Sequence, residues 1–375
     1  MRILIVCRVL WPGGVQRMIF RQAEGLKLLG NEVDLVFIRD TGRYRYPTNL
    51  NFEIFMTKKR SSKLVDYILK RITSRYSPQR GEDAIVDIDY IRKFQKSITK
   101  SYDLIYYSDE FAALFSEIIK KKNKAKLVVI IHEPIKKNGP FLWRQIEKKA
   151  IKNCDLVLTH SREAKMLLRS LYNARIEEIY LGTDVINEIP GFDNRKNYAI
   201  SVTMWDYERH PEKLIEIGRK LNVGKIILIG NWTDNNYLEA MKREIKEKSL
   251  DERVVITGQV TEDRLRLYYK EAKCSIRFGY NEKGPGMGAL ESISWGIPII
   301  FNDGIGIKEV AVDQKNGFLV DLEDSDSIAK KITLLFDNKK NWEAMSKNNL
   351  DLATSLSWDE HNKRLNNLFQ ELVAK

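Results

Sequence analysis

The sequence predicts an α/β protein made of two doubly wound domains. Three observations carry that expectation. Short apolar runs alternate with amphipathic, helix-spaced stretches along almost the whole chain. The alternation restarts after the polar segment "NEIPGFDNRKN" (187–197), which holds Pro190 and Gly191 and reads as a linker. The 375 residues, 43% of them apolar, are enough for two cores of ordinary size.

In order, "RILIVC" (2–7) is a first strand, followed by a helix whose apolar positions are Val15, Ile19, Ala23, Leu26 and Leu29. Gly30 ends that helix, and "VDLVFI" (33–38) is the second strand. Further strands are expected at 103–107, 126–131 and 155–159, with helices between them. After the linker come "NYAISVT" (197–203), "KIILIG" (225–230), "RVVIT" (253–257), "CSIRF" (274–278), "IPIIF" (297–301) and "GFLV" (317–320). A long amphipathic helix from Trp358 to Leu372 closes the chain. The expected division is 1–187 for a first domain and 188–355 for a second, with 356–375 packing back on the first.

Lys and Arg total 63 against 51 Asp and Glu, a net charge of +12. Such a surface suits nucleic acid, anionic lipid or phosphate-bearing substrates, or is simply lysine-rich and solvated. No zinc-finger or RNA-recognition signature is present, so no nucleic-acid partner is expected. No apolar run reaches the ~18–20 residues of a membrane span. The N-terminal "MRILIVCRVLW" reads as a strand rather than a signal peptide. Cys7, Cys154 and Cys274 lie far apart, which suits buried thiols in a reducing cytoplasm and gives no zinc spacing.

In open parallel sheets, ligands bind beyond the carboxyl ends of the strands. Several residues fall there. Gly13 and Gly14 separate the first strand from its helix, where free amides attract anions, although glycine also serves turn geometry alone. His132, with Glu133 beside it, follows "KLVVII"; a lone histidine is more often a structural hydrogen-bonder. His160 ends another strand with a weaker signal. Arg209, in "TMWDYERHPEKL", sits near a helix start, where a guanidinium suits phosphate better than it suits the helix dipole. "NEKGPGMGALESISWGIPIIFND" (281–303) places Gly284, Gly286 and Gly288 before Glu291, and Gly304 and Gly306 form a second glycine-rich loop. Asp87–Asp89 and Asp324–Asp326 match a metal-binding D-x-D but follow no apolar strand, so no metal is expected. Neither a dinucleotide fingerprint nor a Walker loop occurs.

Taken together, these stretches resemble the retaining glycosyltransferases of family 4, the group 1 glycosyl transferases. "GPGMGALESISWGIPIIFNDGIGIKEV" with "NGFLV" is similar to that family's glycine-rich signature. "CDLVLTHSREAKMLL", "IEEIYLGTDV" and "SWDEHNKRLNNLF" resemble its other characteristic phrases. The resemblance implies a GT-B fold, two Rossmann-like domains facing a central cleft, and a hexosyltransferase-type enzyme without cofactor or metal. It would move a sugar from a nucleotide-diphosphate donor to an acceptor hydroxyl in glycan, glycolipid or surface polysaccharide synthesis. It further implies that Glu291 holds the donor's ribose, that Arg209 binds the diphosphate, and that Gly13, Gly14, Gly284, Gly286, Met287 and Gly288 border the donor. His132 matches the family's active-site histidine.

Two positions depart from the pattern. The first glutamate of the family's Glu-x7-Glu pair falls on Lys283, with Glu282 one residue off register, and the arginine of its Arg-x4-Lys pair falls on Met204. Lys283 cannot accept a hydrogen bond. Either it meets a negative group of the donor or Glu282 takes the sugar-facing place through a loop shift. The departures keep two rival functions open, a nucleotide-sugar epimerase of the same fold and a non-catalytic nucleotide-sugar binder. Residues 58–76, with Leu64, Ile68 and Ile72 on one stripe among Lys and Arg, can read as a helix lying on an anionic membrane or packing on its own domain. A lipid-linked acceptor at the cytoplasmic face would fit the first of these.

Overall fold

The computed structural model describes residues 1–10, 13–40, 48–56, 88–135, 139, 141–280 and 282–375. They form two compact units, one of Met1–Tyr180 with Trp358–Lys375, the other of Leu181–Ser357. The stretch 58–76 and Asp87 lie outside the described residues.

The first unit contains β1 (Arg2–Leu10), α1 (Gly14–Leu28), β2 (Glu32–Asp40), β3 (Glu53–Met56), α2 (Ile88–Ser97), β4 (Leu104–Tyr107), α3 (Ser116–Lys120), β5 (Lys126–Ile131), α4 (Phe141–Asn153), β6 (Leu156–Thr159), α5 (Arg162–Leu171) and β7 (Ile176–Glu178). Its seven strands are ordered β3-β2-β1-β4-β5-β6-β7, and the pairings are parallel. The central strands are buried on both faces, as "LIYY" and "KLVVII" show. The edge strands β3 and β7 were not legible as apolar runs, since both carry glutamates along a short segment.

The second unit contains β8 (Lys196–Val202), α6 (Pro211–Lys220), β9 (Lys225–Ile229), α7 (Asn235–Glu247), β10 (Val254–Gly258), α8 (Glu262–Glu271), β11 (Ala272–Arg277), α9 (Met287–Ser294), β12 (Ile299–Asn302), β13 (Gly317–Val320), α10 (Ser325–Asp337) and α11 (Lys339–Ser355). Its sheet is ordered β10-β9-β8-β11-β12-β13. Side chains alternate across it. Ala199, Ile226, Leu228, Cys274 and Ile276 face one core layer, while Tyr198, Ile200, Ile227 and Ile229 face another.

The units divide at Tyr180/Leu181, seven residues before the expected boundary at 187. Leu181 packs on the second unit's core, and Thr183 pairs with Ser357. The closing helix α12 (Trp358–Val373) belongs to the first unit. There it lies on α1: the Asn362 amide donates to the Arg21 carbonyl at 3.2 Å, Asn31 donates to Asn366 at 2.9 Å, and Phe369 meets Tyr106 edge-on. The three cysteines are unpaired thiols. Burial pushes Cys7 up to about 12 and raises Cys154 and Cys274 as well, so none of them is a ready nucleophile.

Candidate functional site

In the second unit the strand order reverses between β8 and β11, and the loops leaving those two carboxyl ends run to opposite sides of the sheet. That divergence opens a crevice where doubly wound folds bind ligands. The chain leaves β8 through Met204, which is exposed, and enters a 3-10 turn at Tyr207–Arg209. Asp206 caps the turn by accepting from the Glu208 amide, and His210 adopts a left-handed conformation before Pro211 opens α6. The loop after β11 is tied to this turn, because the Tyr280 amide donates to the Glu208 carbonyl at 3.2 Å. The Asn302 side chain brackets Gly279, accepting from its amide and donating to its carbonyl.

Arg209 emerges from the turn beside Glu282, with its Nη1 donating to Oε2 at 3.2 Å. The same carboxylate takes two hydrogen bonds from Arg277, from Nε at 3.1 Å and from Nη2 at 2.5 Å. The remaining Nη1 of Arg277 donates to the Val202 carbonyl at 3.4 Å. All three side chains are mostly buried, Arg277 most completely at 7% exposure. Burial alone would raise the Glu282 pKa. The charges of Arg277 and Arg209, with their hydrogen bonds, outweigh it and hold the carboxyl below its ordinary value. Glu282 is therefore a charged carboxylate within an arginine pair. The displaced glutamate thus has its oxygens on guanidiniums of its own domain.

Arg277 carried no sequence-level expectation. The signal was a single arginine closing the apolar strand "CSIRF", at the carboxyl end where ligands bind. Its role depends on pairing with a residue in the following loop, and strand periodicity does not report such a pair.

The glycine-rich stretch then fixes the start of α9. Gly286 has φ +71°, and a Cβ there would lie 2.8 Å from Glu282 Oε1. A Cβ on Gly288 would meet the Val202 carbonyl oxygen at 2.4 Å, so glycine lets α9 approach the end of β8. The helix begins without a side-chain cap and without an acid in its first turn, which leaves its N-terminal amides and dipole available to an anion. In contrast α5, α7, α8 and α10 are capped by Ser161, Asp234, Thr261 and Asp324. Met287 opens α9, and Glu291 lies one turn on, accepting from the Tyr269 hydroxyl at 2.7 Å. The two glycine-rich loops meet: Glu282 bridges Ile305, and Gly306 sits against the backbone of Lys283 and Gly284. Lys283 is half-buried.

In the first unit, Gly13 is the N-cap of α1 and Gly14 its first residue, again with no side-chain cap and no first-turn acid. His132 follows β5, and both of its ring nitrogens are engaged. One lies 2.7 Å from the Ser108 carbonyl, the other 2.8 Å from His160 Nε2. His160 Nδ1 in turn lies 3.3 Å from the Ile179 carbonyl. A neutral imidazole carries one N–H, so a neutral His160 can donate to only one of its two contacts. Burial, and then the neighbouring His132, hold the His160 pKa well below its ordinary value, so the His160 ring is neutral. The D-x-D candidates are occupied as surface acids: Asp89 pairs with Lys93, Asp324 caps α10, and Asp326 pairs with Lys220.

Two family models match the chain. One described as Glycosyltransferase Family 4 covers residues 12–186, and one described as Glycosyl transferases group 1 covers 183–351. An uncharacterised glycosyltransferase of Methanocaldococcus jannaschii is 22% identical over 287 residues, 75% of this chain and 79% of that protein. The fold is similar to sucrose-phosphate synthase from Thermosynechococcus elongatus, with TM-score 0.76, 16% identity, and 100% and 99% of the two chains covered. It is also similar to Anabaena HepE in complex with UDP and glucose, with TM-score 0.74, 15% identity, and 99% and 100% covered. The pneumococcal O-GlcNAc transferase GtfA in complex with UDP and GlcNAc gives TM-score 0.73 at 14% identity, with 100% and 99% covered. With two family models that together span residues 12–351, and two doubly wound parallel sheets of matching architecture, the chain belongs to the group 1, family 4 type of glycosyltransferases and has the GT-B fold.

Proposed function

We propose that this glycosyltransferase moves a sugar from a nucleotide-diphosphate donor to an acceptor hydroxyl, with retention at the anomeric carbon. The observation that carries the reading is that the β8/β11 switch point brings Arg209, held by Glu282, to the uncapped start of α9, the helix that carries Glu291. A diphosphate needs cations and amides, and a ribose needs a carboxylate that accepts hydroxyl hydrogen bonds. These groups stand in that order along one loop and one helix. The Anabaena HepE and pneumococcal GtfA structures hold UDP with a sugar on the same fold, which supports a nucleotide-sugar donor here.

The reaction breaks the bond between the anomeric carbon and the diphosphate oxygen and forms one to the acceptor oxygen. The acceptor's proton passes to the departing phosphate. Negative charge grows on that phosphate in the transition state, so Arg209 and the α9 amides act most strongly there. The reading assigns this charge stabilisation to protein groups and calls on no metal. The test is transfer from a panel of nucleotide sugars, with and without a chelator. Donor-dependent release of nucleoside diphosphate that the Glu291→Ala variant lacks is the expected result. Conversion of the donor to its epimer without acceptor would overturn it.

A lipid-linked acceptor at an anionic membrane fits the same reading, on the strength of the basic and apolar spacing of 58–76. Among the described residues no helix is long and apolar enough to cross a membrane. Sedimentation with vesicles containing anionic lipid should show binding that falls as salt rises. Binding that is absent, or indifferent to salt, would remove the lipid surface from the proposal.

A further inference from the structure

We propose that Arg277 sets a second positive charge behind the donor site, offsetting the cation missing at Met204 without contacting the donor, and that Glu282 is the positioning residue that holds Arg277 and Arg209 together. The inference rests on the donor reading above and adds two residues that the family pattern does not assign in this way.

The geometry supports it from three sides. First, Glu282 is used up by arginines: one oxygen accepts from Arg277 Nη2, the other from Arg277 Nε and Arg209 Nη1. A carboxylate so placed orients guanidiniums, and its bidentate fork on Arg277 fixes that side chain's plane. Second, two mostly buried guanidiniums share this one carboxylate, and two cations held so close are stabilised when an anion arrives at their edge. Third, the surrounding glycines are cut to this arrangement. A Cβ at Gly279 would lie 2.9 Å from Arg209 Nη1, and one at Gly286 would lie 2.8 Å from Glu282 Oε1 and 3.4 Å from Arg277 Nη2. Glu282, one residue out of register, turns its side chain inward between the arginines.

Arg277 therefore acts through Glu282 and through its own buried charge, without touching the donor. The discriminating readout is the ratio of nucleoside-diphosphate affinity to uncharged-nucleoside affinity, measured by calorimetry with UDP, GDP and their nucleosides. Removing a nearby cation weakens only the charged ligand. Arg277→Met should weaken the diphosphate about tenfold and leave the nucleoside unchanged, and Arg277→Lys should recover part of that loss. Glu282→Gln should lower turnover more than diphosphate affinity, because Arg209 loses its fixed direction. The double variant Arg277→Met with Glu282→Gln removes one cation along with the carboxylate and so relieves the repulsion between two guanidiniums; it should melt higher than Glu282→Gln alone while turning over no faster. Equal losses for diphosphate and nucleoside in Arg277→Met, or an unchanged diphosphate affinity in a folded protein, would overturn the role of Arg277. If Glu282→Gln lost turnover while the double variant showed simply additive losses in both melting and turnover, Glu282 would be a direct donor contact and the positioning role would be wrong. Failure of the donor reading itself is a separate outcome, marked by Glu291→Ala leaving diphosphate affinity intact.

Discussion

At the scale of single residues, the proposed donor site turns on a carboxylate and a guanidinium. Glu291 stands one turn into α9 with one oxygen accepting from Tyr269. If it also receives the ribose hydroxyls, Glu291→Ala should weaken nucleoside-diphosphate binding by about 1.5–3 kcal/mol, the worth of a charge-assisted hydrogen bond. Unchanged calorimetric affinity would take Glu291 out of the site. Arg209 faces the departing phosphate in the same reading. Arg209→Ala should therefore reduce turnover more than it weakens nucleoside binding, because the phosphate carries most charge in the transition state. A variant that turned over as fast as the parent would contradict this. Glu291 and Arg209 could be singled out in the sequence because each follows a strand's carboxyl end, and the family resemblance implied their roles. Arg277 and the inward turn of Glu282 could not be. Register counted along the chain treats a loop as a ruler, whereas the loop from Phe278 to Gly286 bends until its carboxylate finds two cations.

At the scale of elements, the segment read as a linker turns out to hold an anchor. Arg195 follows the 3-10 turn at Phe192–Asn194 and is 5% exposed. Its guanidinium donates to the carbonyls of Tyr269 and Ala272, at the end of α8, and to that of Trp295, the C-cap of α9. A fourth bond reaches Pro190 at 3.1 Å, and the cation lies over the Trp342 ring. One side chain thus satisfies the exposed carbonyls of two helix ends and sets a positive charge against both dipoles. Burial brings its pKa down to about 10, still far above neutrality, so it stays charged. Arg195→Met should cost about 3 kcal/mol, from several buried acceptors losing a charged donor at once. Arg195→Lys should recover little, since an ammonium cannot fork to carbonyls on separate elements. Denaturant unfolding of the second unit, followed by the Trp342 environment, measures it; a loss below ~1 kcal/mol would show the anchor to be redundant. Composition marked 187–197 as polar punctuation, and punctuation does not say which charge is buried.

At the scale of the whole molecule, the sequence carried the alternation and the restart, because both depend on apolar period and length. The edge strands and the point of division did not show, since both are fixed by pairing between distant residues. The return of α12 to the first unit has a consequence for acid stability. His361 lies between Gln22, whose Nε2 is 2.9 Å away, and the Tyr180 carbonyl at 2.7 Å. A neutral ring satisfies both, donating from Nδ1 to Tyr180 and accepting at Nε2 from Gln22. Burial is the main reason that its pKa falls to about 4, and the hydrogen bond to Tyr180 only partly opposes the shift. His160, in the same unit, is depressed in the same direction. A histidine that resists protonation when folded stabilises the fold above its unfolded pKa, near 6.5. As pH falls below that value the unfolded chain takes up protons that the folded chain refuses, so stability declines until the folded pKa is reached. For His361 the loss should be about 2 kcal/mol at pH 5, with His160 adding to it. The window from pH 6.5 to 5 lies above the range where most carboxylates protonate, which separates the histidine effect from ordinary acid unfolding. Thermal melts across it should show the first unit losing stability steadily, and His361→Gln should flatten that slope. A parent protein whose melting is level from pH 6.5 to 5 would mean that these rings are protonated as easily in the fold as outside it.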